Sequence, residues 1–263
     1  MGTMVCFHAH PDDECIITGG VMAKAAKDGH RVVLVVATRG EHGEVDDGFL
    51  DDGEALWQRR VAETHAAAAA LGAQRVEFLG YVDSGMMGTP ENDAPNSFWT
   101  ADLDEAARRL AAILDEEDAD VLTTYDDHGG YGHPDHIQVH RVGQRAAAMA
   151  ARPPKLFEAT MNRDEIMRQM RARAEAGELP DDVDIPDPAQ ETDFGSPESI
   201  ITARVDVAEF AEHKRAAMRA HASQISEQSF FLQMPDDVFV RAFGTEWFIR
   251  DGQGPGITET ELL

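Results

Sequence analysis

Two short segments place histidines beside carboxylates in a pattern suited to metal-assisted hydrolysis. The first, AHPDDE, holds His10, Asp12, Asp13 and Glu14; the second, GYGHPDH, holds His133, Asp135 and His136. A catalytic zinc takes about three ligands from histidine and carboxylate and keeps a position open for water. His10 and Asp13 stand three residues apart at the entrance of an expected helix, so both can face one centre. His136 is the best third ligand. Nitrogen-rich ligation favours zinc, or another first-row ion such as Fe2+, over magnesium. Asp12, one residue before the ligating carboxylate, is placed to take a proton from water at the metal and pass it to a leaving amine. His133 is expected to pair with Asp135 and, as imidazolium, to stabilise an oxyanion or protonate the leaving group. Asp12 and Asp135 also suit helix N-caps.

Such residues need strand ends to hold them. Residues 4–8 read as a buried strand, followed by a helix over 12–28 that Gly29 ends, with acidic groups in its first turn. A β-branched strand over 32–38, a glycine- and acid-rich loop over 40–53, a helix over 54–71 and a strand over 76–79 come next. After a loop over 83–100, a helix at 102–116, a strand at 120–125 and a helix at 135–151 continue the alternation. This order predicts an α/β fold: a doubly wound, mostly parallel, Rossmann-like sheet with a smaller C-terminal elaboration. Sites in such sheets form beyond the carboxyl ends of the strands, where both histidine segments fall. Residues 1–160 are expected to form the metal-binding catalytic core, and 161–263 to complete fold and pocket without being an independent domain. A strand at 155–160 closes the core and leads to a helix at 162–176, an acidic, proline-rich excursion over 178–199 and a strand at 200–205. A helix at 206–223 and a packed segment at 238–249 follow, and the chain is expected to fray from 251. His8 shares a strand direction with His10 but is expected to lie within the sheet.

Composition narrows the function. The 263 residues suffice for one full core, and the net charge is −26, from 49 acidic against 23 basic side chains. Such a surface repels nucleic-acid backbones and anionic membranes. No apolar run reaches the ~18–20 residues needed to span a bilayer, and no basic stretch followed by an apolar one opens the chain. A cytoplasmic location is therefore expected. Cys6 and Cys15 are read as buried thiols rather than a disulfide or metal pair, and His30, His42, His65 and His213 as ordinary structural or surface histidines. The first strand leads into HPDDE, not into a glycine-rich cradle, which argues against nucleotide binding. A metal-binding sensor or structural protein is the non-enzymatic alternative.

With AHPDDE followed by TRGEHGEV, LGYVDSGM, TYDDHGGYGHPDH and KRAAMRAHASQI, the sequence resembles the PIG-L/LmbE superfamily of zinc-dependent N-deacetylases. Within it the mycothiol-pathway subgroup is most similar. The resemblance runs to about residue 151 and more weakly to the end. It implies that His10, Asp13 and His136 hold zinc, that Asp12 is the general base, and that His133, tuned by Asp135, stabilises the tetrahedral intermediate. Tyr131 matches a mobile tyrosine near the oxyanion, while Arg60 and Asp83 match contacts to inositol and sugar hydroxyls. Arg39, Glu41 and Glu44 are expected to border the pocket. His221 lies where the family has AHATQ, with Ser223 replacing threonine, and is expected either to line the substrate cavity or to be held by structural hydrogen bonds. The implied reaction is amide hydrolysis of an N-acetylglucosaminyl-inositol compound to amine and acetate. Alternatives within the family are a mycothiol S-conjugate (a small thiol conjugate), another N-acetyl sugar or an antibiotic intermediate.

Overall fold

The computed structural model describes residues 1–177 and 194–263. Thr3–His8 (β1), Arg31–Val36 (β2), Arg75–Phe78 (β3), Val121–Tyr125 (β4) and Lys155–Thr160 (β5) form parallel pairs. Ala203–Asp206 (β6) and Thr245–Arg250 (β7) extend the same sheet, β7 pairing antiparallel with both β5 and β6. The strand order is β3-β2-β1-β4-β5-β7-β6. The order reverses at β1, which has β2 on one side and β4 on the other, so a crevice opens between the carboxyl ends of β1 and β4.

Alternation along the strands explains both cores. Met4 and Cys6 of β1, with Val32, Leu34 and Val36 of β2, face one layer; Val5 and Phe7, with Val33 and Val35, face the other. Because both faces are covered, the strands read as continuous apolar runs. The first layer includes Gly19–Lys27 (α2), Leu56–Ala70 (α3) and Ala211–Ala220 (α8); the second includes Leu103–Glu116 (α4) and Pro134–Met149 (α6). Asp13–Ile17 (α1) and Gly129–Gly132 (α5) are single turns at the carboxyl ends of β1 and β4. Arg163–Glu175 (α7), Phe230–Gln233 (α9) and Asp236–Phe243 (α10) complete the helices among the described residues. None of these is long and apolar enough to cross a membrane.

Four departures from the sequence reading have local causes. The helix expected over 12–28 is two helices broken at Thr18. Gly19 and Gly20 allow the break: a Cβ on Gly20 would come within 2.4 Å of Val207 and 2.9 Å of Glu246. The Glu246 carboxylate instead accepts hydrogen bonds from Gly20 N–H and Val21 N–H, both 2.8 Å, at the positive end of α2. Glu198–Ile200 is a 3-10 turn, so the following strand starts later than expected, and the packed segment over 238–249 divides into the end of α10 and β7. The end of the chain does not fray. Thr258 and Glu259 N–H groups bond to Thr202 O, Arg204 N–H bonds to Glu259 O, and Leu262 is buried. Most of the acidic excursion, residues 178–193, lies outside the described residues.

Candidate active site

The loop leaving β1 carries His10, Pro11 and Asp12 into α1. Asp12 takes a left-handed backbone, φ 102° and ψ −28°, a conformation disfavoured for a side chain with a Cβ. Several contacts hold it there. Glu14 Oε2 accepts the Asp12 N–H at 3.0 Å, and the Cys15 thiol donates to Asp12 O at 2.9 Å. Asp13 Oδ2 accepts the His10 N–H at 2.9 Å and lies 3.4 Å from His10 Nδ1.

The second segment arrives from β4. His133 is the N-cap of α6: its Nδ1 accepts the Asp135 N–H at 3.1 Å, and Pro134 fills the first helical turn. The ring proton of neutral His133 is therefore on Nε2. The sequence reading paired His133 with the Asp135 carboxylate, whereas the two meet through the Asp135 backbone. Burial lowers the His133 imidazole to about 4, helped by His10 and His136, so it is neutral here. The Asp135 carboxylate turns elsewhere. Its Oδ2 faces His10 Nε2 at 3.1 Å and accepts Ser84 N–H at 2.9 Å, while Oδ1 accepts the Ser84 hydroxyl. A proton on His10 Nε2 directed at Asp135 leaves the Nδ1 lone pair pointing toward Asp13.

His136 is oriented in the same manner. Its Nδ1 faces Gly129 O at 3.2 Å, and its buried Nε2 has no hydrogen-bond partner among the described residues. That Nε2 lies 3.4 Å from Asp13 Oδ2. Gly129 permits the approach, since a Cβ there would stand 2.5 Å from His136 Cβ. One oxygen of Asp13 thus faces a nitrogen from each of two imidazoles, each fixed from behind by an acceptor. An orphaned, buried imidazole nitrogen next to a carboxylate is what a divalent ion such as Zn2+ requires. The donor atoms of His10, His133 and His136 lie within 4.8 Å of one another, as do those of His10, Asp83 and Asp135. The buried cluster is able to chelate a divalent metal.

Around this cluster the remaining residues fall into three groups. Tyr131 is exposed at the mouth on α5, its ring centroid 5.0 Å from that of His136 and 6.3 Å from that of His133. Asp83 Oδ1 lies 3.7 Å from His10 Nε2 and accepts Gly85 N–H, and Glu41 Oε2 accepts Asp83 N–H at 3.1 Å. Arg39 stands further out, bonded to Glu41 at 2.9 Å and stacked 4.2 Å above Trp57.

Arg60 and His221 are both buried. Arg60 is buried on α3, donating to Gly40 O at 2.8 Å, to Pro11 O at 2.6 Å and to Asp12 Oδ2 at 3.3 Å. Its charge reaches the pocket through Asp12. Burial lifts the Asp12 carboxyl to about 6, with Arg60 pulling the other way. Of the two readings for His221, the structure shows the hydrogen-bonded one: it has no exposed surface and bonds through Nε2 to Glu14 Oε1 at 2.6 Å. Glu44 is exposed and meets the C-terminal part through its carbonyl, which accepts from Gln224 Nε2 at 3.0 Å.

The sequence reading missed three supports. Ser84 orients Asp135, and Glu14 links Asp12 to His221. Tyr125, whose ring lies 4.5 Å from His136, bonds to His8 at 2.8 Å, and His8 in turn meets Thr18 at 2.8 Å. Glu14 closes the first motif and so carried a signal; Ser84 and Tyr125 carried none beyond proximity to Asp83 and to the second motif.

Comparison with known proteins agrees with this geometry. Residues 5–147 match the family profile described as GlcNAc-PI de-N-acetylase, PIG-L. A 1D-myo-inositol 2-acetamido-2-deoxy-alpha-D-glucopyranoside deacetylase of Acidothermus cellulolyticus is 42% identical over 257 residues, covering 94% of this chain and 88% of that protein. The enzyme of the same description from Thermobifida fusca is 39% identical over 283 residues, covering 99% and 98%. Among solved structures, the 4-carboxy-2-hydroxymuconate hydratase of Pseudomonas putida shares the fold, with TM-score 0.61, 18% identity and 99% of both chains covered. That likeness speaks to fold alone, since a hydratase and a deacetylase perform different reactions. Profile and near full-length relatives together establish that the chain belongs to the PIG-L family of GlcNAc-PI de-N-acetylases.

Proposed function

We propose that this protein hydrolyses the acetamide of an N-acetylglucosaminyl-inositol compound in a zinc-dependent reaction, releasing acetate and the free amine. The observation that carries the reading is the convergence of His10 Nδ1 and His136 Nε2 on Asp13, 3.4 Å from each, with the Asp12 carboxylate one residue away. His10, Asp13 and His136 would hold the ion, and Asp135 would fix the tautomer of His10. A divalent ion bound there supplies Lewis acidity toward the acetamide carbonyl and lowers the pKa of water.

The chain's own groups account for the rest. Asp12 takes the proton from the attacking water and returns it to the nitrogen as the C–N bond breaks. The His133 Nε2–H and the Tyr131 hydroxyl are donors for the oxyanion of the tetrahedral intermediate. Arg60 keeps Asp12 charged and aimed instead of binding sugar itself. Asp83, Glu41 and Arg39 form a polar rim suited to sugar and inositol hydroxyls. The family match, the near full-length relatives and the donor set all support this assignment.

The test is acetate and amine release by protein of known zinc content, offered the sugar-inositol compound and a mycothiol S-conjugate in parallel. Preference for the sugar-inositol compound, abolished by chelation and restored by zinc, is the expected result. Preference for the conjugate would make the protein an S-conjugate amidase, and silence on both with zinc bound would overturn the substrate assignment.

A further inference from the structure

We propose that the turn 221–224, directly after α8, is a brace that aims Asp12 at the reacting centre, with His221 as a positioning residue that acts through Glu14. The inference rests on the deacetylase reading above, in which Asp12 moves the proton.

Three polar side chains of this turn reach three separate segments; two of these contact Asp12 directly, and the third reaches it through Arg60. His221 Nε2 bonds to Glu14 Oε1 at 2.6 Å, and the other oxygen of the same carboxylate accepts the Asp12 N–H at 3.0 Å. Neither His221 nor Glu14 has exposed surface, so neither can touch substrate. The Asp12 backbone they fix is the left-handed one, at φ 102°. A non-glycine residue persists in that region only when its surroundings over-determine it. Ser223 donates to Glu63 from its N–H at 2.9 Å and from its hydroxyl at 2.6 Å. Glu63 is buried on α3, one turn beyond the Arg60 whose guanidinium holds Pro11 O and Asp12 Oδ2. Gln224 donates to Glu44 O at 3.0 Å, and Gly43 makes room for it, because a Cβ there would lie 2.5 Å from Gln224 Oε1. That loop also supplies Gly40 O, the second acceptor for Arg60.

A brace of this kind changes catalysis more than binding. His221→Leu removes the donor, and His221→Asn keeps polarity but falls short of Glu14. His221→Gln can place an amide N–H near the position of Nε2. With zinc-loaded protein, the Leu and Asn variants are expected to lose about 10- to 100-fold in kcat. KM and zinc content should stay close to wild type, and the Gln variant should recover most of the rate. Amide hydrogen exchange should quicken in residues 9–17 of the Leu and Asn variants and not in Gln.

Unchanged kcat in a folded Leu or Asn variant would overturn the brace. So would equal damage in all three variants with KM and zinc binding lost together, which is the mark of a merely structural contact. Zinc-loaded wild-type protein silent on both compounds would overturn the substrate assignment instead. Exchange then decides the brace alone: local quickening in the Asn variant supports it, and unaltered exchange refutes it.

Discussion

At the scale of single residues, the two aspartates of the first motif have different surroundings. Asp13 faces both imidazole nitrogens, whereas Asp12 is tied to Arg60 and open to the pocket. Replacing Asp12 with Ala is therefore expected to leave zinc content intact while lowering kcat by about 10²- to 10⁴-fold, the usual contribution of a general base. His136→Ala is expected to lose the metal first and activity with it. Zinc analysis and rate measured on the same preparations separate the two, and a fully active Asp12→Ala protein would refute the proton-transfer role. That His10, Asp13 and His136 would come together was legible, because few residue types in such spacing suit a cation. The left-handed backbone at Asp12 was not legible. Part of what holds it reaches through Glu14 to His221, 207 positions from Glu14 along the chain.

At the scale of elements, close approach between loops and helices governs the site. Gly40 has φ 69°, and a Cβ there would come within 2.1 Å of Arg60 Nη1. Gly29 shares the left-handed backbone, at φ 82°, but has open space around it. Gly29→Ala should therefore cost only backbone strain, about 1 kcal/mol. Gly40→Ala should cost more, of order 1–3 kcal/mol, and also lower kcat/KM by displacing Arg60 from Asp12. Denaturant melts and initial rates on the pair check this; equal losses in both would mean that Arg60 has room to move. Strands β1 to β5 were legible from apolar runs bounded by polar turns. The break at Thr18 was hidden, because Gly19 and Gly20 answer to Val207 and Glu246, which no local pattern links to them.

At the scale of the whole molecule, acidity of the surface coexists with specific ion pairs that make stability depend on pH. Glu117 accepts from Arg31 Nη2 at 2.9 Å and Arg75 Nη1 at 2.8 Å, and Arg31, seconded by Arg75, holds its carboxyl down to about 2. An unfolded glutamate titrates near ~4.3. The folded value lies lower, so the pairing stabilises fully above that range and is lost as pH falls toward 2. Solvent reaches Arg31 and screens the pair, whose contribution is about 1 kcal/mol. Urea melts should show Glu117→Gln less stable than wild type at pH 6, with the gap narrowed at pH 3 and closing toward pH 2; a constant gap would show that charge is not its source. The α/β class, and the place of both histidine segments at the carboxyl ends of strands, were legible from the alternation of elements. The place of β7 between β5 and β6 was not, because strand pairing across such distances leaves no periodic trace.

The insertion of β7 also carries a consequence for the timing of biogenesis. Glu246 on that strand holds the amides of Gly20 and Val21, 226 and 225 positions away. On the ribosome the nascent chain exposes all its presumed metal donors well before α8 and β7 emerge. An ion captured during translation would meet an Asp12 whose Glu14 support still lacks His221. Turnover would start only after these last elements close over the first.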